Sequence, residues 1–139
     1  MRNAVKFDYP VIESISSILP IVDEFVICLG NSEDDTEHLI QSINSDKIRL
    51  IHSVWDDSLR KGGEVLAVET NKAFDKVSND SDWAFYIQAD EVVHEKYHPA
   101  IIEGLNKYLH HDGVEGFLFQ YKHFYGSYDY VGNSRRWYN

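Results

Sequence analysis

Trp83-Ala84-Phe85-Tyr86-Ile87-Gln88-Ala89-Asp90-Glu91 is an apolar, aromatic run of strand type that stops at two adjacent carboxylates. In open α/β sheets, ligands bind outside the carboxyl ends of the strands. An acidic pair at such an end can hold a divalent cation, and the cation can hold the phosphates of a nucleotide. The competing reading of the same stretch is a solvated Asp-Glu turn that closes a buried strand.

Helical and strand patterns alternate on either side. Val11, Ile12, Ile15, Ile18 and Leu19 follow helical spacing, with Asp8 as a candidate cap, Pro10 in the first turn and Pro20 as the stop. Glu24 to Leu29 reads as a strand buried on both faces, and Gly30-Asn31 as a turn. Ser32 with Asp35 resembles a capping box for a helix carrying Leu39, Ile40 and Ile43. Lys47 to Ser53 alternates as a strand, and a polar loop with Trp55, Lys61, Gly62 and Gly63 leads to a helix over Glu64 to Val77. Beyond Glu91, Pro99 begins a helix with Ile101, Ile102, Leu105 and Leu109, closed by His110 to Gly113. Gly116 to Tyr125 reads as an aromatic strand, and the tail from Gly126 as irregular. The order predicts an α/β fold, a mostly parallel sheet flanked by helices on both faces, in a single domain spanning 1–139.

Composition narrows the function classes. A hydrophobic fraction of 43% with 14% aromatics is that of a folding chain rather than a disordered one. Net charge is −10 and basic residues cluster only in pairs, Arg60-Lys61 and Arg135-Arg136, so a nucleic-acid or anionic-membrane surface is not expected. Such a chain binds an anionic ligand most easily through a metal or helix N-termini. Cys28 is the single cysteine and lies in an apolar run, which rules out a disulfide framework and reads as a buried thiol in a reducing compartment. No stretch approaches the roughly 20 apolar residues of a membrane span. The expectation is a soluble, cytoplasmic chain.

His94-Glu95-Lys96-Tyr97-His98 matches the H-E-x-x-H pattern of zinc hydrolases formally. That chemistry needs both histidines one turn apart on one continuous helix. Pro99 directly after His98 disfavours helical geometry there, so the segment reads as a loop leading into the Pro99 helix. Ser32, Asp34 and Thr36 follow a buried strand and open a helix, where backbone amides can receive phosphate or a ribose can be hydrogen-bonded; the competing reading is simple helix capping, which is preferred for Ser32.

Three segments in order resemble the family-two inverting glycosyltransferases of the GT-A, nucleotide-diphospho-sugar transferase fold. Residues 17–27, SILPIVDEFVI, are similar to that family's passage from helix to second strand; Asn31-Ser32-Glu33-Asp34-Asp35-Thr36 resembles its G-S-x-D-x-T turn. Gln88-Ala89-Asp90-Glu91 resembles the D-A-D-E form of its metal-binding D-x-D motif, and Asn71 lies in the helix before it. The resemblance implies a nucleoside-diphosphate sugar donor, a glycan or other hydroxyl acceptor, and metal-assisted, inverting transfer. It implies that Asp90 coordinates Mg²⁺ or Mn²⁺, and that Glu91 supports the site or contacts the sugar. Ser32 and Asp34 would shape the nucleotide pocket, Arg2 and Asn3 would sit near the base at the end of the first strand, and Gln88 would face the ribose.

This chain departs from the pattern at Gln88, where the family has its first acid, and at Leu29-Gly30, where members carry an acid that reads the base. Only Arg2 to Val5 correspond to the family's central first strand, so the chain reads as cut short at both ends, with the catalytic base outside it. An open strand edge would then favour a homodimer, and the longer protein could be peripheral to a membrane. The rival function is a non-catalytic nucleotide-sugar-binding or structural domain, and a further one is a zinc hydrolase using His94, Glu95 and His98.

Overall fold

The computed structural model describes residues 1–59 and 62–132, so Lys61, Arg135 and Arg136 lie outside the described residues. The chain divides into two compact units, Met1–Leu109 and His110–Asn139. The first is an α/β unit. Its elements are α1 (Val11–Ile18), β1 (Phe25–Leu29), α2 (Thr36–Gln41), β2 (Ile48–His52), α3 (Glu64–Phe74) and α4 (His98–Tyr108), with 3₁₀ turns at Leu19–Ile21 and Glu95–Tyr97.

The core forms around β1. Because side chains alternate along a strand, Phe25, Ile27 and Leu29 share one face, and they pack with Val11 and Ile15 of α1 and Ile40 of α2. Val11, Ile15 and Ile18 recur at helical spacing and are all fully or almost fully buried, each stabilising the fold by about 1.5–3 kcal/mol. Cys28 points to the opposite face, where its thiol donates to Glu69 of α3 at 3.1 Å. Helices therefore cover both faces of this sheet, as the alternating pattern predicts.

The sheet itself is narrower than expected. β1 pairs with β2 in parallel, Phe25 opposite Ile48 through Leu29 opposite His52, and no third strand joins them among the described residues. Residues 83–88 run without a ladder, yet exposure alternates along them as in a half-buried strand: Trp83, Phe85 and Ile87 are partly covered while Ala84, Tyr86 and Gln88 are exposed. Their pattern is that of a strand, but among the described residues they belong to no sheet.

In the second unit, Gly116 to Tyr125 forms a ladder only at β3 (His123–Tyr125), antiparallel to β4 (Ser127–Gly132). Both strands are exposed throughout, and the expectation of an irregular tail from Gly126 is corrected by this hairpin. Gly126 at φ 72° makes the tight reversal that the sequence reading overlooked.

Local signals were also reassigned. Asp8 does not cap α1; it sits at φ 54° in a turn, and Pro10 occupies the capping position. The capping box also fails to form, because the Ser32 hydroxyl accepts from the Asn3 N–H instead. Among the described residues, no helix is long and apolar enough to cross a membrane.

Candidate functional site

Three chain segments meet where β1 and β2 end: residues 1–7, the turn after β1, and the loop after β2. Asn3 is buried with φ 53°, a left-handed conformation that asparagine tolerates better than most residues. Its amide donates to Ser32 Oγ at 3.0 Å, and its Oδ1 accepts from the Glu33 N–H at 2.7 Å. The fully buried Thr36 hydroxyl accepts from the amides of Ala4 at 2.7 Å and Val5 at 3.3 Å. Asp34 receives the Lys6 N–H at 2.7 Å and the Thr36 N–H at 3.1 Å. Burial works to raise the Asp34 pKa, but the hydrogen bonds from Thr36 and Lys6 outweigh it and hold the carboxyl below its ordinary range.

The Ser32-Glu33-Asp34-Asp35-Thr36 turn is thus a clasp. Its side chains satisfy backbone donors of residues 3–6 and fix that segment against the end of β1. The same atoms are not free to bind a ligand directly.

Over the clasp opens a cavity of about 570 Å³, walled by Arg2, Asn3, Lys6, Trp55, Asp57 and Leu66 among others. Arg2 bonds Asp57 at 2.9 Å and lies 5.9 Å from the Trp55 ring. The indole sits directly over Gly30: a Cβ there would fall 2.4 Å from Trp55 Nε1, so only glycine permits this approach. Arg2 Nε and Trp55 Nε1 are buried with no hydrogen-bond partner, an arrangement that native structures seldom leave unexplained. Sequence reading placed Trp55 only in a loop and missed Lys6 and Phe7; the pairing of Gly30 with Trp55 has no local signal, since the two are brought together by the β1–β2 pairing.

The acidic turn is a separate construction. The Glu91 carboxylate accepts from the Gln88 N–H at 2.8 Å, and the Glu91 N–H bonds the Gln88 carbonyl at 3.1 Å, closing a turn over Ala89 and Asp90. Ser14 of α1 donates to the Gln88 carbonyl at 3.0 Å and anchors it. Ala89 packs on the core while Asp90 is exposed. Asn71 is exposed on α3. Of the sequence-predicted residues, Arg2 and Asn3 line the cavity and Ser32 and Asp34 hold its wall; Asn71, Gln88, Asp90 and Glu91 do not line it.

Among the described residues, no group of three or more His, Cys, Asp or Glu side chains could hold a metal ion. A metal at Asp90 would therefore draw most of its ligands from phosphate and water, as Mg²⁺ commonly does. The H-E-x-x-H residues do not form a zincin helix. His94 precedes the 3₁₀ turn and pairs with Glu95 at 3.0 Å, while His98 opens α4 and its Nε2 bonds the Ser17 carbonyl at 2.7 Å.

Across the sheet, Glu69 is only 4% exposed and collects Cys28, Ser53 and Lys72, the last at 2.6 Å. Burial works to raise its pKa, yet the bonds from Lys72, Ser53 and Cys28 bring it below the usual value. Burial and the Glu69 contact push the Cys28 thiol up, which makes it an inert structural group. Comparison with protein-family models, curated proteins and solved structures finds no match for the chain.

Proposed function

We propose that this chain is the donor-binding part of a glycosyltransferase, taking a nucleoside-diphosphate sugar at the carboxyl end of its parallel strands. The observation that carries the reading is the cavity beside Arg2, Lys6 and Trp55, at the sheet end where α/β proteins bind nucleotides. The guanidinium and ammonium suit phosphate oxygens, and the Trp55 indole suits a base or sugar face. The ordered resemblance of residues 17–27, the Ser32 turn and the Gln88-Ala89-Asp90-Glu91 turn to the GT-A transferases supports the same ligand class.

In this reading Asp90 would hold a Mg²⁺ or Mn²⁺ ion, which when bound would neutralise charge on a leaving diphosphate. The chain's own part is to hold the nucleotide: the clasp keeps Arg2 and Asn3 in place, and Gly30 admits Trp55.

A second reading, a nucleotide-sugar binder without turnover, is favoured by two observations. Gln88 replaces the first acid of the motif, and the Glu91 carboxylate is occupied by the Gln88 N–H. A thermal-shift panel of nucleoside diphosphates with and without Mn²⁺ tests binding. A ligand at a hundred times its Kd adds about 2.7 kcal/mol of stability. The shift should vanish in Trp55→Ala and lose its Mn²⁺ dependence in Asp90→Ala. An identical metal-dependent shift in Asp90→Ala would remove the metal assignment, and donor hydrolysis separates the two readings.

A further inference from the structure

Two ion pairs face the cavity, and each joins residues 1–7 to a different loop. Arg2 Nη1 lies 2.9 Å from Asp57 Oδ1 in the loop after β2, and Lys6 Nζ lies 3.7 Å from Glu33 Oε2 in the turn after β1. All four residues line the cavity, and so does Asp56. The pairs differ in cover. The Lys6 and Glu33 side chains are 57% and 71% exposed, where water and salt screen their attraction to little. The Arg2 side chain is only 18% exposed, so the charge it meets counts for more.

Arg2 is tethered but not used up. A guanidinium carries five N–H donors in a fixed fork and grips an anion best with two parallel bonds. Asp57 takes one bond, from Nη1, and Arg2 Nε is buried without a hydrogen-bond partner. The Asp57 side chain is 63% exposed, so water can solvate its carboxylate when Arg2 turns to another oxygen. Asp56 is unsuited to this part. Its Oδ1 accepts from the Ser58 hydroxyl at 2.6 Å and the Ser58 N–H at 2.9 Å, and these bonds hold its carboxyl below the ordinary range. Asp56 shapes the loop, whereas Asp57 answers the cation of the cavity.

We propose that Asp57 sets which ligand charge the cavity accepts: it neutralises Arg2 in the free protein and yields it to a phosphoryl oxygen, so that a diphosphate enters by exchanging one anion for another. The proposal rests on the donor-binding reading above and adds to it a residue that decides specificity. A phosphate group offers two oxygens to the fork and carries more charge than a carboxylate, so it can displace Asp57. The Nε–H that Asp57 leaves unpaired then gains an acceptor, which removes the cost of a buried orphan donor. An uncharged ligand leaves the Arg2–Asp57 pair as it stands. Selection therefore comes partly from a built-in repulsion, because Asp57 opposes every anion too weak to replace it.

The test is calorimetric titration of the full chain with inorganic pyrophosphate, in low salt with a chelator present, for the parent, Asp57→Asn, Arg2→Gln and the double variant. Removing the counter-charge while keeping Arg2 should tighten pyrophosphate about threefold to fivefold, the worth of an exposed ion pair, and steepen its loss with added salt. Asp57→Glu keeps the charge and should bind as the parent does. In the Arg2→Gln background Asp57→Asn should change little, because the carboxylate then has no cation to release. Weaker binding in Asp57→Asn overturns the proposal and makes Asp57 a prop of the cavity wall. An equal gain in both backgrounds also overturns it, since the repulsion would then be general. Should Arg2→Gln fail to fold, the salt series decides, and a slope in Asp57→Asn equal to the parent's refutes the exchange. Nucleoside diphosphate binding that Asp57→Asn leaves unchanged sinks the exchange alone. Absence of binding by pyrophosphate and by every nucleoside diphosphate, with or without Mn²⁺, sinks the donor reading with it.

Discussion

Phe25–Leu29 and residues 83–88 are two apolar runs that read alike as strands, and they ended differently. The first lies beside β2 and makes a complete parallel ladder, with three of its residues buried. The second alternates in exposure and joins no ladder among the described residues, leaving Tyr86 60% exposed. The contrast teaches that strand character belongs to the sequence, whereas strand pairing belongs to the neighbour. A ladder needs a second backbone within hydrogen-bond reach, and an apolar run outside a ladder is covered less completely.

The contrast should appear most sharply in the isoleucines of the two runs. Ile27 is 3% exposed in the β1 core, so Ile27→Ala should cost about 2–5 kcal/mol in urea unfolding. Ile87 is only half covered, and Ile87→Ala should cost about 1 kcal/mol. Equal losses would mean that residues 83–88 are packed as tightly as β1.

Next in size is the clasp that ties residues 3–6 to the end of β1. Thr36→Val keeps the shape but leaves the buried Ala4 amide without its acceptor, at a cost of about 1–3 kcal/mol. Because the clasp sets Arg2 and Asn3, nucleotide-induced thermal shifts should shrink in the same variant. A variant that loses stability yet keeps its full shift would separate the clasp from the cavity.

The smallest effect concerns acid. Asp34, in the turn after β1, and Glu69, against Cys28 of β1, both have folded pKa values below their ordinary ones. Each therefore contributes stability that is fully present above the ordinary carboxylate pKa and is lost as pH falls through the folded value. Unfolding midpoints should be flat from neutral pH down to the ordinary carboxylate range and drop below it. Glu69→Gln should make that drop shallower, and a slope equal to that of the unaltered chain would contradict the hydrogen-bond account of Glu69.

Most elements of the first unit were legible, because each depends on local periodicity. The spacing of Val11, Ile15 and Ile18 set α1, the continuous run Phe25–Leu29 set β1, and Pro99 marked the start of α4. Of the site, the Ser32 turn and Arg2-Asn3 were named through the resemblance; the Ser32, Asp34 and Asn3 side chains accept backbone amides, while Arg2 bonds Asp57. Trp55 and Lys6 escaped notice because nothing in their own neighbourhoods marks them.

By itself the sequence determined the alternation of helix and strand, the parallel sense of β1 and β2, and the buried, lone Cys28. These follow from side-chain pattern and from the crossover rule, which act within one or two elements. Only the tertiary structure decided that residues 83–88 join no ladder among the described residues, that Gly30 admits Trp55, and that Asp57 pairs with Arg2. Those depend on which segments come within reach of one another, and that distance is written in no single segment.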